Sequence, residues 1–264
     1  MIQDFTKIEM PIFKPQYSAR ENYGYEKSAK KEKLRERLNT TSKGFCMYCY
    51  TRVYTQGRYY GHLEHSIERK NSTFLIECIP NIGWSCSVCN DRYKKIGEKK
   101  RALSKKVISE FETDINCLEC DCNDPCKKYR KLRKKYIFRD FFDAHILLQP
   151  GSNKGKDTKL ELCLQYDVLN AKFEPSAFQG SYSDYEKVVI QDHIDHFCLN
   201  DVKYRSNQLK EFIENVIETD GHIPTMECNN LVVELFKERL KELEKEEVLK
   251  VCKKIYTYYA VKGI

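Results

Sequence analysis

The 264-residue chain has no apolar run approaching the ~18 residues of a membrane span, which excludes a helical transmembrane protein. Its first residues, Met1 to Phe13, lack the basic start and small-residue cleavage site of a secretory signal, so a cytoplasmic location is expected. There is no internal repeat, and no low-complexity tract apart from short basic runs. No thioredoxin-like βαβ pattern surrounds any Cys-x-x-Cys, and no cysteine run has a ferredoxin spacing. Redox and iron–sulfur roles are therefore set aside. Tryptophan is nearly absent: Trp84 stands alone.

Cysteine, by contrast, is abundant. An odd number, 13, clustered as Cys-x-x-Cys, suits thiolates that bind metal in a reducing compartment better than a disulfide framework. Two pairs, Cys46-Met47-Tyr48-Cys49 and Cys86-Ser87-Val88-Cys89, supply four soft ligands for one structural Zn²⁺ in a closed tetrahedral site. The 36 residues between the pairs exceed the span of a simple zinc ribbon, so something is inserted between the knuckles. That insertion holds Glu64, His65 and Asn81, and Asn90 follows the last cysteine directly. A second cluster, Cys117, Cys120, Cys122 and Cys126, has enough ligands for another Zn²⁺, although its Cys-x-x-Cys-x-Cys spacing is crowded.

The net charge of +7 is unevenly placed. Residues 1–150 carry 30 Lys and Arg against 19 Asp and Glu, a balance of +11, whereas residues 151–264 carry 16 against 20, a balance of −4. The basic half favours a polyanion partner, and the acidic half a protein or self-contact. Arg92, Lys94 and Lys95 in one run, with Lys131, Arg133 and Lys134 in the run Lys127 to Arg139, are the candidate phosphate contacts.

The chain reads as α+β. Lys27 to Leu38 is expected to be a charged helix that ends in the turn-rich stretch Asn39 to Gly44. Strand-like stretches at Arg52–Tyr54 and Tyr59–Leu63, then helical composition from Asn90 to Arg101, give a β, β, α order whose second strand delivers Glu64 and His65. Arg101 to Phe111 is expected to be helical, and Leu160 to Tyr166 to be a strand. Tyr185–Phe197, Asp201–Glu218 and Asn230–Tyr259 carry apolar groups at helical spacing. Four regions follow: a basic helical segment 1–43, a core 44–100, a basic extension 101–150 with the second cysteine cluster, and a mainly helical, acidic region 151–264.

Taken together, Glu64-His65 on a strand, Asn81 five residues before Cys86, and Asn90 directly after Cys89 resemble the HNH nucleases, whose core is a zinc-stapled ββα-metal finger. The resemblance covers roughly residues 44 to 100. It implies that His65 is a general base, that Glu64 and Asn90 bind a catalytic Mg²⁺ or Mn²⁺, and that Asn81 orients the base and its loop. Zinc would be structural only. Chemically this suits phosphodiester hydrolysis, which needs a base of near-neutral pKa and positive charge on the phosphoryl oxygens. His62, three residues before His65, faces away on a strand and is read as a packing or phosphate-contact residue. His193 and His196, one turn apart, are read as a plain helix face, and Trp84 as packing under the knuckle.

Cys46-x-Tyr48-Cys49, Leu63-Glu64-His65 and the later His196-Phe197-Cys198-Leu199-Asn200 with Arg205 are similar to the HNH proteins of Septu-type and retron-associated anti-phage systems. That similarity implies action on nucleic acid, with DNA the expected substrate, beside an ABC-like ATPase docked by the acidic second half. The chain departs from the pattern where Ser66-Ile67-Glu68-Arg69-Lys70 replaces the usual Pro-Lys. The alternative from a different class is a zinc-dependent nucleic-acid-binding or adaptor protein without cleavage.

Overall fold

The computed structural model describes residues 5–18, 20–113, 125–138, 145–201 and 203–263. Helix and strand are mixed, as an α+β chain requires. Strand β1 (Lys7–Glu9) is followed by helix α1 (Ser28–Thr41), three residues longer at its C-terminus than expected. It buries Leu34 and Leu38 while its lysines and glutamates face out, a helix whose apolar contact is a narrow stripe.

Beyond α1 the strands differ from the expected pair. A short hairpin joins β2 (Tyr54–Thr55) to β3 (Arg58–Tyr59) through Gln56 and Gly57, both at positive φ, the backbone a tight two-residue turn demands. Glu64 and His65 instead end β4 (His62–His65), the first strand of a second antiparallel pair whose partner is β5 (Ile82–Ser85), with His65 opposite Ile82 and Leu63 opposite Trp84. β5 escaped the sequence reading because Ile82-Gly83-Trp84-Ser85 is buried at every position and shows no alternation.

The helix expected over Asn90–Arg101 is shorter and irregular. A π-helical turn, Val88–Arg92, runs into a 3₁₀ turn, Tyr93–Lys95, and the chain leaves it at Gly97, φ 70°. Helices α2 (Lys105–Glu112) and α3 (Lys127–Ile137) follow. α3 buries Tyr129, Leu132, Arg133, Tyr136 and Ile137, the i, i+3, i+4, i+7, i+8 stripe of an amphipathic helix.

Strands β6 (Leu164–Asp167) and β7 (Lys172–Pro175) form an antiparallel sheet with β1 in the order β1-β6-β7. Residues on both sides of the expected division at 150/151 thus share one sheet, and one apolar core runs from Ile8 through Leu34, Phe45 and Trp84 to Phe197, Phe236 and Tyr259. Helices α4 (Asp184–His196), α5 (Lys203–Glu218), α6 (Leu231–Leu240) and α7 (Lys245–Lys262) complete the chain. The single helix expected over Asn230–Tyr259 is two, because Glu244 caps a new helix reciprocally with Glu247. Among the described residues no helix is long and apolar enough to cross a membrane.

Candidate functional site

The two knuckles meet. Tyr50 donates its backbone N–H to the Cys46 carbonyl at 2.9 Å, and Asn90 donates to the Cys86 carbonyl at 3.0 Å, so each Cys-x-x-Cys closes on itself. The four thiols of Cys46, Cys49, Cys86 and Cys89 then lie within 4.8 Å of one another. Tetrahedral zinc with Zn–S bonds of 2.3 Å would set its sulfurs about 3.8 Å apart; Cys49 Sγ and Cys86 Sγ are separated by 3.6 Å. The set fits one structural zinc. Burial pushes the Cys46 thiol well up, and neighbouring thiols push up Cys89. A cation is what lets such crowded groups ionise together. None of the described cysteines is in a disulfide.

The frame carries a cleft of about 330 Å³ on its flank, lined by Glu64, His65, Glu68, Asn90, Asp91 and Lys94 among others. His65 ends β4 with its ring against Tyr25, centroids 4.4 Å apart. Its Nε2 lies 3.0 Å from the Ile76 carbonyl oxygen. A carbonyl only accepts, so Nε2 carries the proton and Nδ1 is the basic nitrogen. Burial lowers the His65 pKa below the ordinary histidine value, which keeps the ring neutral at pH 7.

Asn81 is fully buried, one residue before β5 begins. Its Oδ1 accepts from the Ile67 N–H at 2.9 Å and from the Tyr129 hydroxyl at 3.2 Å, while its Nδ2 donates to the Ile67 carbonyl at 2.9 Å. One amide thus clamps the chain as it leaves Glu64-His65. Asn90 lines the cleft and donates to Asp91 Oδ1 at 3.3 Å. Glu68, acidic and close by, is taken up by Arg101 Nε at 3.2 Å and by the Tyr136 hydroxyl at 2.7 Å.

Glu64 is already satisfied. Tyr48 donates its hydroxyl to Oε2 at 2.7 Å, and the Lys94 ammonium bonds Oε1 and also the His65 carbonyl. Lys94 and Glu64 are 5% and 4% exposed. Lys94 is therefore no surface phosphate contact, contrary to its place in the basic run. Nor does the carboxylate, as arranged, fit the Mg²⁺ or Mn²⁺ that the resemblance implies. Such ions keep several waters and want open oxygens, and here both oxygens are bonded and buried.

Arg133 is corrected likewise. It is buried on α3 and donates to the carbonyls of Pro150 at 2.6 Å and Gly151 at 3.0 Å. Arg92, Lys95, Lys131 and Lys134 are exposed, as phosphate contacts must be. His62 is exposed on the strand and Trp84 is buried beneath the knuckle, where a Cβ on Gly61 would come within 2.4 Å of its ring. His193 is a core group whose Nδ1 accepts from the Leu147 N–H at 3.0 Å. Of the second cysteine cluster, Cys117, Cys120 and Cys122 lie outside the described residues, and Cys126 caps α3, accepting from the Tyr129 N–H at 3.3 Å.

Sequence reasoning missed Tyr48, Tyr129 and the true place of Lys94. Tyr48 had a signal, a lone aromatic inside a knuckle whose neighbours are metal ligands. Lys94 had none, since a lysine among lysines reads as surface. Comparison of the chain with family models, with curated proteins and with solved structures returns no match.

Proposed function

We propose that this chain is an HNH-type endonuclease that hydrolyses phosphodiester bonds in nucleic acid, DNA being the expected substrate. One observation carries the reading: a basic histidine nitrogen with its tautomer set by a backbone carbonyl stands beside a cleft shared with Glu64 and Asn90, on a strand pair stapled by four thiols. In this reading Nδ1 of His65 takes a proton from the attacking water. The Ile76 carbonyl steadies the imidazolium that forms, as it accepts the Nε2 proton throughout. Exposed Lys95 on the cleft, with exposed Arg92 three residues before it in the chain, would hold the phosphate backbone by counterion release.

Zinc bound by Cys46, Cys49, Cys86 and Cys89 would hold the two knuckles together and would take no part in the chemistry. Mg²⁺ or Mn²⁺ belongs to the family's reaction and would use Glu64 and Asn90, but Glu64 offers it no open oxygen in this arrangement. An ABC-like ATPase as partner, and a place in anti-phage defence, rest on the resemblance and on the charge split between the halves. A second reading, a zinc-stapled binding module without cleavage, is favoured by the Lys94 cap on Glu64.

The test is incubation of the purified protein with supercoiled plasmid and Mg²⁺ or Mn²⁺, beside His65→Ala and with the co-expressed ATPase where one accompanies it. Nicking by the unsubstituted protein that is lost in His65→Ala supports the nuclease. Binding without nicking under every condition supports the module.

A further inference from the structure

Glu64 and Lys94 form a buried ion pair. A lysine is almost never buried unless paired, and this one lies on the same cleft as the basic histidine. Three constraints hold it there. Arg101, itself 1% exposed, bonds the Lys94 carbonyl and donates to the Ile96 carbonyl at 3.0 Å, which ties down the backbone from Lys94 to Ile96. Glu68 and Tyr136 in turn fix Arg101. The ammonium then meets a carboxylate oxygen and a carbonyl oxygen, a donor set that a small hard cation would also use. The second carboxylate oxygen is held by Tyr48, whose own position is set by the zinc knuckle.

We infer that Lys94 is the resident cation of Glu64 and competes with any divalent ion for that carboxylate. This deepens the nuclease reading and rests on it for its consequence, that the cleft as folded is closed to Mg²⁺ and Mn²⁺. The ion competition itself is measured without reference to cleavage. Lys94 neutralises Glu64, so the buried carboxylate needs no further counter-charge. A divalent ion must displace the ammonium, together with its bond to the His65 carbonyl, before it can bind.

The experiment is Mn²⁺ titration of zinc-loaded protein, followed by the electron paramagnetic resonance of free Mn²⁺, for the unsubstituted chain, Lys94→Met and the double variant Glu64→Gln/Lys94→Met. Lys94→Met keeps most of the aliphatic stem and removes the charge. The expected result is one Mn²⁺ site in Lys94→Met at least about tenfold tighter than any in the unsubstituted protein, and lost again in the double variant. Equal affinities within about twofold for the unsubstituted protein and Lys94→Met would overturn the inference, as would a Lys94→Met that gains no site.

Should Lys94→Met fail to fold, the ¹⁵N resonance of the Lys94 ammonium in the unsubstituted protein serves instead. A slowly exchanging, carboxylate-bonded signal that persists in millimolar Mg²⁺ supports the competition. A signal abolished by micromolar Mg²⁺ contradicts it. Cleavage is not read in either experiment, so a chain that never cuts nucleic acid leaves this result standing, and a failed competition leaves the His65 reading open.

Discussion

The hydroxyl of Tyr48, a residue held between the two cysteines of the first knuckle, donates to Oε2 of Glu64 at 2.7 Å, and the Tyr48 ring stacks on Phe197, the residue that caps the C-terminus of α4, at 4.9 Å. The four-thiol frame, the carboxylate and the C-terminal end of α4 therefore meet at one side chain. Removing the hydroxyl leaves the stack intact and takes one partner from a buried carboxylate. Tyr48→Phe is expected to cost about 1–3 kcal/mol with zinc content unchanged. Urea denaturation with zinc analysis checks this; an unaltered midpoint would mean that the bond contributes nothing.

Cys46 is fully buried and joins the two knuckles to the core. Cys46→Ser is expected to lower zinc content and to unfold the region around residues 44–100, because structural zinc supplies folding energy directly. Elemental analysis and circular dichroism measure both. A soluble, cooperatively folded, zinc-free variant would remove the Cys₄ assignment.

Acid should destabilise the fold through α4. Burial lowers His193 to about 3, with His196 adding to the effect, and burial lowers His196 to about 4, with Arg101 adding. Both are held neutral in the native state, whereas the unfolded chain takes up a proton near pH 6.5. Their contribution is complete above that value and falls as pH drops towards 4 and then 3, by up to about 1.4 kcal/mol per pH unit for each ring. His193→Asn keeps an acceptor for the Leu147 N–H and removes one proton-binding site. Its stability should fall less steeply between pH 6 and pH 4 than that of the unsubstituted protein, as followed by urea midpoints. An equal slope would show that His193 does not take part.

The two faces of α3 should separate in their effects. Lys127, Arg130, Lys131 and Lys134 are exposed, so changing them together to glutamine is expected to leave stability within about 0.5 kcal/mol. It should weaken nucleic-acid binding and flatten its salt dependence. Arg133→Ala instead leaves several buried carbonyls without a donor and should cost on the order of 3 kcal/mol. Unchanged binding in the fourfold variant, measured across a salt series, would return α3 to an ordinary solvated helix.

How far the sequence reached can be judged from single residues. The Cys46, Cys49, Cys86 and Cys89 set was legible because Cys-x-x-Cys spacing already encodes a knuckle, and the folded thiols converge as that spacing requires. The helices at 184–196 and 203–218 were legible from apolar spacing, and the one at 28–41 from a charged run closed by turn residues. β5 was not, because a strand buried at every position loses the alternation that marks it. Lys94 and Arg133 were read as surface because composition records a charge and not its depth. Glu64 and the His65 carbonyl draw Lys94 inside, and the carbonyls of Leu148, Pro150 and Gly151 draw in Arg133, all of them distant in sequence.

The central claim is that His65 is the base of a phosphodiester hydrolase. Plasmid nicking by the unsubstituted protein and by His65→Ala, at matched zinc content and with matched thermal midpoints, tests it most directly. The expected result is loss of at least about a hundredfold in rate for His65→Ala, the usual scale of general-base removal, while folding and zinc stay as they were. Equal nicking by the two proteins would contradict it.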